Sequence, residues 1–402
     1  MKRILGSIAA ALPGDTAFEV QFGSELLRIG EGQARFRLVV STRRGASALG
    51  SMDEKRIGEA YLDGDITIEG DLVAALDLRT RLTDRHPLLY LWSTYGQRLL
   101  FGQVSRDKDW IREHYDSESD FYLLFLDGEH RCYSHGYFED EDEPLHRAIR
   151  RKLDTAIEEC RIQPGWRVLD IGAGWGAFSQ YAGKRGVQVT SLTISEESER
   201  YVNELIAREG LPCRVIREHF LEYESSERYD AIVNLGVTEH LPDYEATVAQ
   251  YERLLKPGGR VFLDACASRA KYSFSSFVQS HIWPGNTTPM KLAGYIDAVA
   301  KTPFELVYAR NDRRNYLLTT KHWAENLDRN RDEIVARWGE RLYRRFRLYL
   351  WGCVHSFSTD DVTAYRLLLE LPADVQGRSR FARGRFSRSR KPLAARIWNT
   401  MS

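Results

Sequence analysis

The chain lacks an excess of charge of either sign. Its 402 residues carry 57 basic and 57 acidic side chains, so net charge names no partner. It also lacks paired cysteines. The five, Cys132, Cys160, Cys213, Cys266 and Cys353, are odd in number and widely spaced, with no C-x-x-C. That argues against a disulfide framework or a zinc site and fits a reducing compartment. No apolar run approaches membrane-spanning length. The opening Met1-Lys2-Arg3 and its apolar patch to Leu12 run too soon into Pro13-Gly14 and acidic residues to read as a signal peptide. No internal repeat is visible. From Val375 onward Asp and Glu are absent, against eight Lys or Arg with Phe381, Phe386 and Trp398 among them. Such a tail reads as disordered in the free protein. It would be drawn to anionic lipid headgroups, with its aromatics entering the interface. Nucleic acid is the competing partner.

What is present is an ordinary globular composition, 43% hydrophobic and 28% charged, with length for a large domain and a smaller one. Residues 1–104 read as a small α/β unit. Phe18–Phe22 and Ala34–Val40 alternate like half-buried strands, Glu59–Asp71 reads as strand and turn, and Leu72–Leu82 has helical spacing. A polar connector follows at Ser105–Arg112. Residues 105–372 form the second unit and 373–402 the basic tail. From Pro164 strands and helices alternate. The strands are Arg167–Ile171, Val187–Leu192, Cys213–Arg217, Tyr229–Leu235 and Arg260–Ala265. The helices are Gly176–Lys184, Glu196–Arg208 and Tyr244–Leu255, and Lys256–Gly259 is a tight turn before a strand. This predicts a parallel, doubly wound sheet. Asn326–Trp351 reads as one long charged helix with an apolar stripe through Ile334, Trp338, Leu342, Phe346 and Leu350.

The most informative stretch is Val168-Leu169-Asp170-Ile171-Gly172-Ala173-Gly174-Trp175-Gly176, a buried strand feeding a glycine turn that opens a helix. Glycines let backbone approach a ligand closely, and the helix start offers free N–H groups. A dinucleotide fold carries G-x-G-x-x-G and an acidic residue ending its second strand. Here the pattern is G-x-G-x-G, and the second strand ends in Ser191-Leu192-Thr193-Ile194-Ser195. The carboxylate of Asp170 precedes the turn instead, which suits a cationic ligand such as the sulfonium and amino-acid end of S-adenosylmethionine. A purely structural turn is the alternative.

The flanks carry a resemblance. His114-Tyr115-Asp116, Tyr133-Ser134-His135-Gly136-Tyr137-Phe138, the glycine turn with Trp175, Leu192–Ser195, Glu239-His240, and Tyr316 upstream of Trp323 occur in one order. From His114 to Leu371 the chain resembles the cyclopropane-fatty-acyl-phospholipid synthase family of S-adenosylmethionine-dependent lipid C-methyltransferases. The resemblance implies a Rossmann-like class I methyltransferase sheet with helical insertions, preceded by a small N-terminal α/β domain. It implies that Tyr133 and Ser134 touch the cofactor and that Gly172, Gly174 and Trp175 cradle its methionine portion. Thr193 and Ile194 would flank ribose and adenine, and Glu218, His219 and Phe220 would form the adenine pocket. Ser198 stands where some members carry a glutamine.

In the family a cysteine, a glutamate, a histidine and a tyrosine cradle a bicarbonate that removes a proton after methyl transfer to an alkene. The glutamate aligns with Glu239 and the tyrosine with Tyr316. The cysteine position is His135, and the histidine position is Asp264. Asp264 puts a negative charge where an anion should sit, and like charges repel strongly in a poorly polarisable pocket. One resolution is that bicarbonate is dispensed with and Asp264, Glu239 or His135 is the base. The alternative is that Asp264 merely ends a strand. The acidic run Glu139–Glu143 reads as a solvated loop entering a helix from Pro144, with no metal site.

The expected function is methylation of carbon in unsaturated acyl chains of phospholipids, by a cytoplasmic enzyme peripheral to the inner membrane surface. The product could be a cyclopropane, a methyl branch or a methylene. The resemblance also implies a homodimer. The competing readings are a methyltransferase of a soluble or specialised metabolite and a non-catalytic lipid-binding homologue.

Overall fold

A computed structural model of the chain describes residues 17–84, 119–269, 275–283 and 288–374. The N-terminal patch, the connector at 105–112, His114–Asp116 and the basic tail lie outside the described residues, as does the expected boundary at 104.

The N-terminal unit runs β1 (Phe18–Phe22), β2 (Glu25–Ile29), β3 (Phe36–Val40), α1 (Arg43–Ser51), α2 (Glu54–Leu62), β4 (Ile66–Gly70) and α3 (Leu72–Leu76). Its sheet has the order β2-β1-β3-β4, with β1 and β3 parallel and the other pairs antiparallel. Period-two alternation turns Phe18, Val20, Phe36, Leu38 and Val40 onto one face, where they pack with Ala46, Leu49 and Ile66. Thr42, Asp53 and Asp71 cap the three helices by accepting from Gly45 N, Arg56 N and Ala74 N, each cap worth about 1 kcal/mol. Glu59–Asp71 is therefore not strand and turn throughout: α2 occupies it to Leu62. Asp53 starts the helix, and Gly58, Ala60, Tyr61 and Leu62 bury one face.

The second unit continues with α4 (Ser119–Leu123), α5 (Leu145–Glu159), β5 (Arg167–Ile171), α6 (Ala177–Gly183), β6 (Gln188–Thr193), α7 (Glu196–Glu209), β7 (Arg214–Arg217) and β8 (Tyr229–Leu235). Then come α8 (Tyr244–Leu254), β9 (Leu255–Ala267), α9 (Ser276–His281), α10 (Leu292–Ala300), β10 (Glu305–Asn311), α11 (Arg313–Arg329), α12 (Arg331–Trp338), α13 (Glu340–Ser358) and β11 (Thr363–Glu370). Seven strands form one sheet in the order β10-β11-β9-β8-β5-β6-β7. The five from β9 to β7 are parallel, while β11 lies antiparallel to β9 and β10 antiparallel to β11. The fold is thus the Rossmann-like class I methyltransferase sheet, mostly parallel.

Alternation on β9 decides the geometry of the site. Val261, Leu263 and Ala265 face the core shared with α8 and α10. Phe262 faces the opposite core, with α5, α11 and α13, and Asp264 and Cys266 share its side of the strand. Two expectations need correction here. Lys256–Gly259 does not precede β9 but lies inside it as a bulge: pairing with β8 passes from Tyr229–Leu255 to Ala231–Arg260, Gly258 stands at φ +83°, and Gly258 N donates to Leu371 O at 2.6 Å. Nor is Asn326–Trp351 one helix. Gly339 stands at φ +87° between α12 and α13, outside the helical region and accessible only to glycine without strain. The apolar stripe still reaches the core, with Ile334, Phe346 and Leu350 buried.

The two units touch through α13. Arg344 donates to the carbonyls of Tyr61 and Ile66 at 3.1 and 3.3 Å, and Arg347 donates to the Tyr61 hydroxyl at 3.2 Å. Gly58 of α2 lies so near Phe277 of α9 that a Cβ there would stand 2.5 Å from its ring.

Candidate active site

The cofactor-type cavity grows from the end of β5. Gly172 N and Ala173 N donate to Leu192 O at 3.0 and 2.7 Å, which pins the glycine turn across β6. Gly172 has φ +92°, and a Cβ on it would meet Val237 Cγ2 at 2.3 Å. Only glycine satisfies both demands. Asp170 is buried, and burial pushes its carboxyl up to about 7 although it accepts from Ser191 Oγ at 2.7 Å. Ser195 caps α7 by accepting from Ser198 N at 3.2 Å. The Ser198 hydroxyl donates to Gly174 O at 2.7 Å. Ser198 therefore ties α7 to the glycine turn.

All eleven residues expected at the cofactor line this one cavity: Tyr133, Ser134, Asp170, Gly172, Gly174, Trp175, Thr193, Ile194, Glu218, His219 and Phe220. Arg131, Gly236, Val237, His240 and Leu241 line it too and were missed. Arg131 stands in the left-handed region at φ +58°, a conformation that its sequence neighbours do not announce. The pairing of a glycine cradle with a buried carboxylate fits S-adenosylmethionine, whose methionine end carries cationic groups beside a carboxylate.

A second, larger cavity of about 370 Å³ lies between the two units. Leu38, Leu49, Ile57, Tyr61 and Ile66 come from the N-terminal unit, Phe277, Val278 and Trp283 from around α9, and Leu348, Tyr349 and Leu350 from α13. Its lining is largely apolar. Tyr133, Gly236 and His240 line both cavities, so the two meet there. Glu239 and Tyr316 line the apolar cavity beside that junction, with Cys266.

Glu239 sits in the turn after β8, buried. One carboxyl oxygen accepts from Cys266 N at 2.5 Å; the other, Oε2, has no hydrogen-bond partner. Burial pushes the carboxyl up to about 7, against the pull of backbone N–H groups and of Lys152. Tyr316 lies between the ring of Phe357 at 4.6 Å and that of His135 at 4.7 Å. Burial and nearby acidic groups raise its hydroxyl well above the ordinary range, so it stays a hydrogen-bond donor.

His135 and Asp264 line neither cavity. His135 Nε2 lies 3.4 Å from Asp312 Oδ2, which also pairs with Arg366 at 3.1 Å. Asn315 donates to the other Asp312 oxygen at 2.8 Å. Burial pushes the Asp312 carboxyl up, but His135, Arg366 and Asn315 outweigh it and hold it below its usual range. Asp264 Oδ2 lies 2.8 Å from Nζ of Lys152, and both side chains are buried. Lys152 Nζ also donates to Ser134 Oγ at 2.5 Å. Burial would strip its proton; Asp264, Cys132 and Asp312 together outweigh that and keep the ammonium above its ordinary range. The expectation of an uncompensated carboxylate at Asp264 is corrected by this partner. Lys152 was missed, yet it left a signal: it falls on the buried face of α5, among Leu145, Ala148, Ile149, Leu153 and Ala156, where a lysine is rarely found unpaired.

The site does not fit a bound bicarbonate. A carboxylate only accepts hydrogen bonds where the family's histidine could donate. The two cations beside it, buried Lys152 and half-buried Arg366, are already matched by Asp264 and Asp312.

Sheet, glycine cradle and cavity together define an S-adenosylmethionine-dependent methyltransferase. The family model described as mycolic acid cyclopropane synthetase matches residues 103–367, and the chain belongs to that family. It is 29% identical over 321 residues to the cyclopropane-fatty-acyl-phospholipid synthase of Escherichia coli K12, covering 78% of this chain and 82% of that one. It is 26% identical over 331 residues to the sphingolipid C9-methyltransferase of Candida albicans, covering 77% of this chain and 64% of that relative's length. Among solved structures, mycolic acid cyclopropane synthase CmaA1 complexed with SAH and CTAB superposes with a TM-score of 0.61 at 27% identity, over 65% of this chain and 98% of that one.

Proposed function

We propose that the protein methylates a carbon of a carbon–carbon double bond in a long lipid chain, with an unsaturated phospholipid acyl chain as substrate. The observation that carries this reading is the junction at Tyr133, Gly236 and His240, where a largely apolar slot opens onto the cofactor cavity. When bound, S-adenosylmethionine supplies a methyl group on cationic sulfur. Asp170 and the glycine turn orient its methionine end, Thr193 and Ile194 flank the ribose and adenine, and Glu218, His219 and Phe220 wall the adenine. The apolar lining excludes water, which would trap a cation formed on the chain. Glu239 and Tyr316 stand at the junction, where a proton must be held or removed. His135 and Asp264 act from behind them.

Among the described residues no helix is long and apolar enough to cross a membrane. We take the protein to work at an anionic membrane surface, with its five cysteines kept as free thiols on the reducing side. A sphingoid chain is the second reading, favoured by the similarity to the Candida albicans enzyme. The test is mass spectrometry of lipids from a host expressing the chain. A gain of about 14 mass units, one CH₂, on unsaturated phospholipid chains is the expected result. The same gain on sphingoid bases alone would move the substrate class, and no gain in any lipid would reject the proposal.

A further inference from the structure

A lysine and an aspartate, both fully buried, face each other at 2.8 Å behind the junction of the two cavities. Their neighbours tie them to both sides of the reaction. Through its bond to Ser134 Oγ, Lys152 reaches the cofactor wall. Asp264 sits two residues from Cys266 on the same side of β9, and Cys266 N holds Glu239. Glu239 Oε2 is buried with no partner at the edge of the apolar slot. A buried carboxylate oxygen without a donor is costly unless it has work to do.

We infer that this site works without a bound anion: Glu239 takes the proton itself, and the buried Lys152–Asp264 pair stands in place of the anion cradle as its positioning support. This rests on the reading of the protein as a lipid C-methyltransferase. The step balances. The alkene π pair forms the bond to the methyl carbon, and the carbon–sulfur pair leaves with sulfur. The other alkene carbon becomes cationic. A carbon–hydrogen pair, from the new methyl or an adjacent carbon, then closes a ring or a new double bond. The freed proton goes to Glu239 Oε2. No external base, oxidant or reductant is required.

The charged and titratable groups that face Glu239 are Asp264 and Lys152, with the thiols of Cys266 and Cys353, the hydroxyl of Tyr316 and the ring of His240 around them. Asp264 raises the proton affinity of Glu239 and Lys152 lowers it. Two substitutions on one ion pair should therefore act in opposite directions. A merely structural role would not produce that pattern.

The decisive measurement is difference infrared spectroscopy of the full chain loaded with SAH, reading the protonated-carboxyl band that vanishes in E239Q. The band should titrate near neutral pH, move to higher pH in K152M and to lower pH in D264N. Shifts in the same direction, or none, would overturn the inference. Should K152M fail to fold because it strands a buried carboxylate, D264N alone decides: a downward shift is expected and no shift refutes. Calorimetry with sodium bicarbonate on the same protein should give no saturable heat; a saturable heat lost in E239Q would overturn the inference. Turnover on unsaturated phospholipid vesicles should stay within twofold after bicarbonate depletion, and a tenfold fall restored by bicarbonate would likewise refute it. Absence of turnover on every lipid would instead count against the proposed function, and the spectroscopic and calorimetric readings would still decide the anion question.

Discussion

The two cavities that meet at Tyr133 are built in different ways. The cofactor cavity is organised around one local backbone feature, the end of β5 and a turn with positive φ at Gly172 and Gly174 that leads into α6, with side chains such as Tyr133, Trp175, His219 and Phe220 closing its walls. Away from the junction, the apolar cavity is lined by side chains from three distant stretches, Leu38–Leu82, Phe277–Trp283 and Leu348–Phe357, which come together only when the units dock. A backbone cradle tolerates little change. A side-chain slot can be resized one residue at a time. Changes in substrate are therefore expected to act at the side-chain slot, and changes in cofactor affinity at the turn.

The largest expected effect breaks the backbone side alone. Gly172→Val would force a side chain into Val237 at a φ of +92°. Strain of about 1–3 kcal/mol plus the steric block should weaken cofactor binding by about 100-fold or more. Calorimetry with SAH would measure it, and thermal unfolding would check that the fold survives. Binding within tenfold of the parent would mean that the turn does not cradle the ligand.

Next in size is the junction. Glu239→Gln should lower kcat by about 10²–10⁴-fold while SAH affinity stays nearly unchanged, because Glu239 lines the apolar cavity and not the other. The pH dependence has a definite sign. With its carboxyl at about 7, the proton-accepting form is lost as pH falls, so kcat should drop about tenfold per unit below that value. Asp170, also near 7, should ionise more fully beside a cationic ligand. S-adenosylmethionine binding at mildly acidic pH should then release protons, and SAH binding should release fewer. Calorimetry in buffers of different ionisation enthalpy reads this directly; equal release for both ligands would separate Asp170 from the sulfonium.

The side-chain cavity offers a milder break. Ile57→Trp puts an indole ring in place of an aliphatic side chain in the slot beside Gly58 and Phe277. Turnover on long-chain vesicles should fall about tenfold, the equivalent of about 1.4 kcal/mol, with SAH affinity unchanged. A parallel loss of SAH affinity would show that the cavities are not separable.

The same contrast governs what could be read from sequence. Strand, glycine turn and helix are contiguous, so the turn around Gly172 was legible as a nucleotide-type cradle, whereas Thr193, Ile194 and Glu218–Phe220 came only from the resemblance. The apolar slot could not be assembled on paper, because Ile57, Phe277 and Leu348 are neighbours only after docking. Asp264 was visible as a departure from the family pattern, but its partner Lys152 lies on another element, and only the buried face of α5 hinted at it. The break at Gly339 was missed because the apolar stripe runs across it, in register on both sides. The helix α2 was missed because Tyr61-Leu62-Asp63-Gly64 reads locally as a strand running into a turn, while its cap at Asp53 lies well upstream.

The smallest expected effect tests the seam between legible and hidden. Ser198 stands where the resemblance places a longer glutamine in some members, and here its hydroxyl donates to Gly174 O at 2.7 Å. If the turn needs that tie, Ser198→Ala should cost about 0.5–1.5 kcal/mol, a fall in SAH affinity of about 2–10-fold. The effect acts through the backbone, so it should appear equally for SAH and for S-adenosylmethionine and leave kcat untouched. Ser198→Gln separates the two roles a side chain could play here. It loses the short bond to Gly174 but regains reach toward the ligand. Affinity at or above the parent would mean that direct contact can replace the tie, and affinity below Ser198→Ala would mean that the turn in this chain has settled around serine and no longer has room for the longer side chain.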